Sequence, residues 1–365
     1  MFFHGLLFLK NDQLSKVDLD IIAIRELLRF PSSTNNQMAQ LYYRYGRAAV
    51  IDDGDFSYDV LSLQEMARSE YRVMFSPYFE EYRLYHEQDY YADKTILDMF
   101  DGEGKWRSDH IVSTLQYSVV VEYMMGLLGL TERYCEEGLK SPTHSWDAFA
   151  ALYIGSLEGV DIGGSDETID GVMLWNLSNK RAVQFNTQNK DYFSIVNDEM
   201  LDLLFAGQSE LGQADCANFE KTTSRVLHLM LLPLIQSTIW YAIQNEKLEE
   251  NSADNALTIG RCLAMSVLPI VEKYDQYSAR VIERNMIPTE GVKPVQDGAQ
   301  FVANAFFQVM DEIGWGCEYI GQSEGVDPCQ LYIPKTKQES SGSNIKISNS
   351  HFVVALLCSI FFVGV

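Results

Sequence analysis

The chain has 365 residues, of which 47% are hydrophobic and 12% aromatic, so it can build a large core and is not a disordered protein. Its 51 acidic and 28 basic residues give a formal net charge of −23. A protein that binds nucleic acid needs a concentrated basic surface, so the charge excludes nucleic acid as a main partner. At about 150 residues per domain, the length allows about two domains.

The first twelve residues, MFFHGLLFLKND, contain a short apolar run with a histidine inside it. The core of a signal peptide is about 7–15 residues long, and this run is shorter. Either the true start of the protein is missing or the signal is atypical. We interpret residues 1–12 as the remnant of a signal peptide.

Most of the chain carries apolar residues at spacings of three and four, which is typical of helices. The pattern predicts helices over 18–30, 60–98, 108–138, 145–158, 191–205, 217–247, 254–285 and 297–313. Short strand patterns occur over 48–51, 171–177 and 181–185. We therefore predict a mainly α fold, a multi-helix bundle-like globule with a few short strands, divided into two helical lobes over 13–165 and 166–335.

One stretch of the predicted helix 60–98 is rich in groups that bind metals. On a helix, Tyr82, His86, Asp89, Tyr90 and Asp93 fall within about one quarter of the circumference. Ferric iron is a hard cation that prefers carboxylate and phenolate oxygen and tolerates imidazole. The stripe therefore predicts an iron site. An amphipathic helix with a tyrosine-rich buried edge and a solvated acidic edge would show the same pattern.

A second set of groups begins the predicted helix 145–158. His144 and Asp147 share one face, so they could close an iron site that begins elsewhere. Ala151 and Gly155 leave the same face bare, which is equally typical of a close helix crossing with a capping aspartate.

A third candidate is a basic pair in a strongly acidic chain. Lys180 and Arg181 form its one Lys-Arg dipeptide and could clamp an anion such as carbonate. They could also balance nearby carboxylates. Asn176, four residues earlier, begins the one Asn-x-Ser/Thr glycosylation sequence, Asn-Leu-Ser.

The cysteines and the C-terminal residues suggest a route out of the cytosol. Cys317 and Cys329 bracket a glycine-containing stretch, which favours a disulfide loop in an oxidising compartment; two unpaired loop thiols are the alternative. Residues 336–351 read as a polar linker and 352–365 as an uncharged hydrophobic anchor. Small residues, a polar spacer and an apolar tail match a glycolipid-anchor signal. A short or tilted membrane span and a buried core helix are the alternatives.

Four segments give the chain a family resemblance over roughly residues 40–320: HEQDYYADKTILDMFDGEG, HSWDAFAALYIGSLEG, LWNLSNKRAVQFNT and GQADCANFEKTTSRVLHLMLLPLIQSTIWYA. In this order they resemble the algal low-iron-inducible iron-assimilation proteins, a family that includes the diatom phytotransferrins, or iron-starvation-induced proteins. The most specific part runs from Trp146 to Gly159. In the family a cysteine usually follows the Lys-Arg pair, whereas Ala182 follows it here, which leaves Cys216 without its usual partner.

The resemblance implies a cell-surface protein that binds ferric iron, with carbonate as the partner anion, and is then internalised by endocytosis. It carries over no ligand residues, so the candidate ligands are those argued above. We expect a non-enzymatic iron-uptake protein with Fe(III) and carbonate as ligands. Its expected route is the secretory pathway to the plasma membrane, with endocytic or ferrireductase partners. A surface adhesion or interaction protein that has lost iron binding is the alternative, and a metal-dependent enzyme is third.

Overall fold

The computed structural model of the protein describes residues 12–52, 58–102, 107–138, 142–158, 171–248, 255–289, 291–313 and 315–328. The linker 336–351, the anchor 352–365 and nearly all of the signal-peptide remnant 1–12 lie outside the described residues. Cys329 also lies outside them, so its pairing with Cys317 stays a prediction.

The described residues form helices and one small hairpin. In chain order they are α1 (Asp12–Ser15), α2 (Val17–Arg29), α3 (Ser33–Tyr45), β1 (Val50–Asp52), β2 (Tyr58–Val60), α4 (Leu63–Ala67), α5 (Glu70–Phe75), α6 (Phe79–His86), α7 (Tyr91–Asp101), α8 (Arg107–Thr114), a π-helical turn (Leu115–Val119), α9 (Val120–Glu136), α10 (Pro142–Ile154), α11 (Leu174–Phe185), α12 (Ile195–Gly212), α13 (Cys216–Asn245), α14 (Asn255–Tyr274), α15 (Gln276–Met286), α16 (Ala299–Ile313) and α17 (Cys317–Ile320).

The predicted fold class is confirmed: the protein is mainly α, with short strands. β1 and β2 pair antiparallel, with Val50 opposite Val60, which confirms a strand near 48–51. The strands predicted over 171–177 and 181–185 are wrong, because residues 174–177 and 181–185 belong to α11 and residues 171–173 precede it without forming a strand. That helix buries residues at spacings of three and four, and each strand window was too short to reveal this period.

The core is built around α13. This helix packs against α9, α11, α12, α14 and α16, and it is buried over most of its circumference. The contact between α9 and α13 joins the two predicted lobes, and the described residues of both belong to one compact unit ending at Leu331.

Three helical stretches are long and apolar enough to cross a membrane, judged by length and composition among the described residues. They are Arg107–Glu136, Cys216–Asn245 and Asn255–Tyr274. Most residues in the apolar parts of the first two lie buried inside the fold, and just over half do in the third.

The helix predicted over 60–98 is wrong as a single element, because the chain breaks it into α4, α5, α6 and α7. Ser62 caps α4 in a capping box with Glu65, and Ser69 caps α5. Glu87 ends α6 in the left-handed region, at φ 53°. Asp275 likewise divides the predicted helix 254–285 by capping α15. Capping residues therefore end and restart helices within a stretch whose apolar spacing alone predicts one continuous helix.

Two glycines allow α5 to lie directly on α9. A methyl group at Gly126 would lie 2.8 Å from the backbone nitrogen of Arg72, and one at Gly129 would overlap the carbonyl group of Phe75. The sequence MMGLLGL therefore gives α9 a bare face. This close approach holds α5, and with it Arg72, against α9.

We expect Gly129→Ala to lower the free energy of unfolding by about 2–3 kcal/mol, because the added methyl forces the backbone of α5 away. Gly212→Ala is the matched control, since nothing lies within 4 Å of a methyl group there. Urea denaturation of both variants measures the difference. Equal stabilities would contradict the close packing.

A disulfide joins the end of α9 to the start of α13. Cys135 and Cys216 are bonded, with their Cα atoms 5.7 Å apart and a separation of 81 positions in sequence. The expectation that Cys216 lacks a partner is therefore wrong. Its partner comes from a helix that packs against α13, a tertiary neighbour that the spacing of cysteines does not reveal.

Candidate functional site

The predicted stripe does not lie on one helix. Tyr82 and His86 are on α6, Asp89 and Tyr90 are in the turn that follows, and Asp93 is on α7. The left-handed residue Glu87 redirects the chain between the two helices. The assumption that the five side chains share one face is therefore wrong.

Asp93 is committed to a hydrogen-bond network. Its carboxylate accepts bonds from Tyr43 Oη at 2.7 Å, Gln64 Nε2 at 3.0 Å and Arg68 Nε at 2.8 Å. It is buried, and Arg68 balances its charge. These contacts tie α7 to α3 and α4, so Asp93 has a structural role in the described fold.

Asp89 and Tyr90 lie at the surface. The side chain of Tyr90 is 38% exposed and borders a cavity of about 530 Å³ together with Asp93. The guanidinium of Arg72 lies over the Tyr90 ring, 5.6 Å from its centre, and donates to the backbone oxygen of Asp89. For Asp89, the observed contact is therefore made by its main chain.

The next residue, Tyr91, is the centre of a buried polar cluster. Its hydroxyl donates to Glu122 Oε1 at 2.7 Å, and Arg72 Nη1 lies 3.2 Å from Glu122 Oε2. The His86 ring stacks on the Tyr91 ring with centroids 3.5 Å apart, and the Tyr82 ring lies parallel at 6.2 Å. We call Arg72, Tyr82, His86, Tyr91 and Glu122 the Tyr91 cluster.

Four helices assemble the Tyr91 cluster. Arg72 comes from α5, Tyr82 and His86 from α6, Tyr91 from the first position of α7, and Glu122 from the first turn of α9. The Tyr82 hydroxyl donates to the backbone oxygen of Ser266 on α14, which fixes the position of α6. The cluster thus unites residues that are 50 positions apart in sequence.

Burial controls the charges in the Tyr91 cluster. It raises the pKa of Tyr91 well above its usual value, and the nearby Glu122 carboxyl raises it further. Burial also raises the pKa of Glu122, while the positive charge of Arg72 and the Tyr91 hydrogen bond oppose that rise. Tyr91 therefore keeps its proton in the absence of a cation, and the proton lies between two oxygens.

The surroundings of His86 keep its imidazole neutral. Burial, followed by the charge of Arg72, lowers its pKa to about 4. A free imidazole becomes charged near pH 6.5, but here a neighbouring cation and an apolar environment both oppose protonation. His86 is neutral throughout the physiological range and keeps a lone pair that can coordinate a metal.

Several nitrogen atoms of the Tyr91 cluster have no hydrogen-bond partner among the described residues. His86 Nε2 and Arg72 Nε are buried and unpartnered, and Arg72 Nη1 meets Glu122 only as an ion pair. Such atoms are unusual in a folded protein, and a ligand or ion is one explanation for them. In the same described ranges, no three His, Cys, Asp or Glu side chains form a metal site by themselves. In the Tyr91 cluster, the Tyr91 hydroxyl is a further oxygen beside the carboxyl of Glu122.

His144 and Asp147 lie elsewhere. They belong to α10, which packs mainly on α1, α9, α11 and α12, whereas α7 packs mainly on α4, α8 and the π-helical turn. His144 is exposed, and Asp147 Oδ1 is buried with no hydrogen-bond partner among the described residues. The described contacts do not bring this pair to the Tyr91 cluster.

Asp147 makes folding sensitive to pH. Burial raises its pKa to about 6. The folded state thus holds the proton more tightly than the unfolded state, whose carboxyl has a pKa of about 3.9. The resulting stabilisation is complete below about pH 4 and is lost as the pH rises to about 6.

We expect Asp147→Asn to raise the free energy of unfolding at pH 7.5 by about 1 kcal/mol, a value reduced because solvent reaches part of the side chain. At pH 3.5 the variant and the wild type should be nearly equal. Asp202→Asn, on the exposed surface of α12, is the control. A gain of the same size in the control, or at both pH values, would contradict the assignment to Asp147.

Lys180 and Arg181 lie on α11 beside a different cavity, of about 1050 Å³. Asn176 borders the same cavity from the first turn of α11, and Ser178 of its glycosylation sequence is buried and hydrogen-bonded to Ser194. Glycan acceptors usually lie on exposed loops, so this position does not favour a glycan. The cavity beside Tyr90 and the cavity beside Lys180 and Arg181 share no lining residue.

Sequence reasoning missed three members of the Tyr91 cluster: Arg72, Tyr91 and Glu122. Glu122 did carry a signal, because it is a single acid within the apolar run VVVEYMMGLLGL. An acid at such a position is buried and needs a partner. Arg72 and Tyr91 had no comparable signal, since their roles depend on how α5 and α7 meet α9.

Comparison of the chain with models of known protein families, with curated proteins and with solved structures finds no match.

Proposed function

We propose that the protein binds ferric iron for high-affinity uptake, through Tyr91, Glu122 and His86 of the Tyr91 cluster. The observation that supports this proposal is the convergence of a phenol, a carboxyl and an unpartnered imidazole nitrogen in one buried place. These are the donor types that a hard trivalent cation accepts. The family resemblance of the four sequence segments leads to the same function.

The shared proton between Tyr91 and Glu122 defines the chemistry. Iron would displace this proton, so that a phenolate and a carboxylate face the metal in place of a hydrogen-bonded pair that carries one negative charge. His86 needs no deprotonation, because it is already neutral. Tyr82 is a weaker candidate ligand, since its hydroxyl is engaged with Ser266.

Arg72 is our candidate for holding carbonate. Its guanidinium is buried beside Glu122 and has an unpartnered Nε, so it can present two donors to a planar anion. This reassigns the carbonate role that the sequence suggested for Lys180 and Arg181. Those residues border the other cavity, and no described contact joins them to Tyr91.

We also propose that the protein reaches the cell surface through the secretory pathway, is anchored by its C-terminal residues and is internalised with its iron. The Cys135–Cys216 disulfide is typical of an oxidising compartment. The three long apolar helices are compatible with membrane association. The proposal that the C-terminal residues form an anchor is based on the residue pattern of 336–365.

Iron affinity measured at several pH values, with and without bicarbonate, tests the proposal. Because iron displaces at least one proton, we expect affinity for iron supplied as ferric nitrilotriacetate to fall roughly tenfold or more per pH unit between pH 8 and pH 6. Omitting bicarbonate should weaken it at every pH. An affinity that changes with neither pH nor bicarbonate would contradict the mechanism. Undetectable iron binding would favour the alternative function of an adhesion protein.

A further inference from the structure

The cavity beside α11 gathers positive charge in a strongly acidic protein. It measures about 1050 Å³, and its basic lining residues are Arg25, Arg29, Arg107, Lys180 and Arg181. The chain as a whole has a formal net charge of −23. Such a local reversal of sign concentrates anions at the cavity.

Acidic residues balance only part of this charge. Among the described lining residues other than Lys180, four arginines stand against two acidic residues, Glu26 and Asp109, a balance of +2. Glu26 pairs weakly with its neighbours, at 3.6 Å from Arg25 and 3.8 Å from Arg29. Asp109 forms no ion pair with the described residues.

The environment of Arg181 is the central observation. It is 6% exposed, and its described partners are neutral: Ser237 Oγ at 2.7 Å, the side-chain oxygen of Gln184, and the ring faces of Trp240 and Tyr241. A buried guanidinium without a carboxylate partner is costly for the folded state. A ligand anion in the cavity would supply the missing charge.

The remaining residues that line the cavity indicate a ligand larger than a simple ion. Tyr117 and Tyr241 contribute aromatic surface, and Leu28, Val112 and Met173 contribute apolar surface. The volume of about 1050 Å³ is slightly above the usual range for small-molecule sites, which is about 300–1,000 Å³. A carbonate ion would leave most of this space unfilled.

We propose that this cavity binds a small organic polyanion, a molecule with an organic body and at least two carboxylate or phosphate groups. The anionic groups contact Arg181, Lys180 and Arg29, and the body packs on the tyrosines and the apolar wall. The inference does not depend on the Tyr91 cluster. It is tested on iron-free protein, so failure of one proposal leaves the other standing.

Isothermal titration of the full chain, prepared without iron, tests the proposal. The probes are citrate as a polycarboxylate and fructose 1,6-bisphosphate as an organic phosphate, with bicarbonate and inorganic phosphate as small anions. We expect at least one organic probe to bind roughly tenfold more tightly than either small anion, since only it reaches several cations and the apolar wall. The tighter of the two identifies the anionic group.

Two variants with equal charge change locate the binding. Arg29→Gln/Lys180→Gln should weaken the organic probe roughly tenfold or more, because two charged contacts are lost. Arg44→Gln/Lys190→Gln removes two exposed charges outside the cavity lining and should change affinity less than about twofold. Equal weakening in both variants, small anions that match the organic probes, or no organic binding at 10 mM would each overturn the proposal.

Discussion

Replacing Arg72 with methionine should destabilise the protein by about 3–5 kcal/mol, one of the largest effects available at a single position. Arg72 is 1% exposed and is the ion-pair partner of Glu122, which is equally inaccessible. Methionine fills similar space but leaves a buried carboxyl without its counter-charge. Denaturant unfolding at pH 8 measures the loss.

The effect should depend on pH and be reversible by a second substitution. Burial already raises the pKa of Glu122, and loss of Arg72 removes the charge that opposes this rise. Glu122 then takes up a proton more readily, so the destabilisation should be smaller at pH 5 than at pH 8. Arg72→Met/Glu122→Gln removes both charges and should recover most of the stability. A double variant as unstable as the single one would contradict the charge argument.

Removing the disulfide should lower the free energy of unfolding by about 4 kcal/mol, because it frees a loop of about 80 residues in the unfolded chain. The bond joins Cys135 on α9 to Cys216 on α13, two helices from different halves of the chain that pack against each other. The variant is Cys135→Ala/Cys216→Ala, measured in denaturant beside the wild type.

Wild-type protein reduced with dithiothreitol is the control for this prediction. Reduced wild type and the double alanine variant should have the same stability, since both lack the cross-link and keep the helices. An alanine variant as stable as the oxidised wild type would show that the bond does not constrain the unfolded state. A reduced wild type that retains the oxidised stability would contradict the prediction in the same way.

The fold class was predictable because the periodic spacing of apolar residues along a helix is a local property of the sequence. α2, α9, α13, α14 and α16 all appear where the spacing of three and four placed helices. The interruption at Glu87 was not predictable in the same way. A left-handed non-glycine residue is stabilised by its surroundings, and no turn residue marks that position in the sequence.

The predicted stripe and the Tyr91 cluster differ in register for the same reason. A continuous helix would place Tyr90 on the face of Tyr82 and His86, whereas the break after His86 turns Tyr91 inward and Tyr90 outward. The stripe therefore contained the kinds of residues that the Tyr91 cluster contains, but the sequence did not predict which of them turn inward. Arg72 completes the Tyr91 cluster through a tertiary contact that no local pattern encodes.

The most direct test of iron binding at the Tyr91 cluster is the visible absorption of the ferric protein. A phenolate bound to Fe(III) gives a visible charge-transfer band that carboxylate and imidazole ligands do not give. With ferric nitrilotriacetate and bicarbonate at pH 8, we predict this band for the wild type and for Tyr90→Phe, whose ring is at the surface, and its loss in Tyr91→Phe. A band that survives in Tyr91→Phe, or that is absent from the wild type, would contradict the assignment.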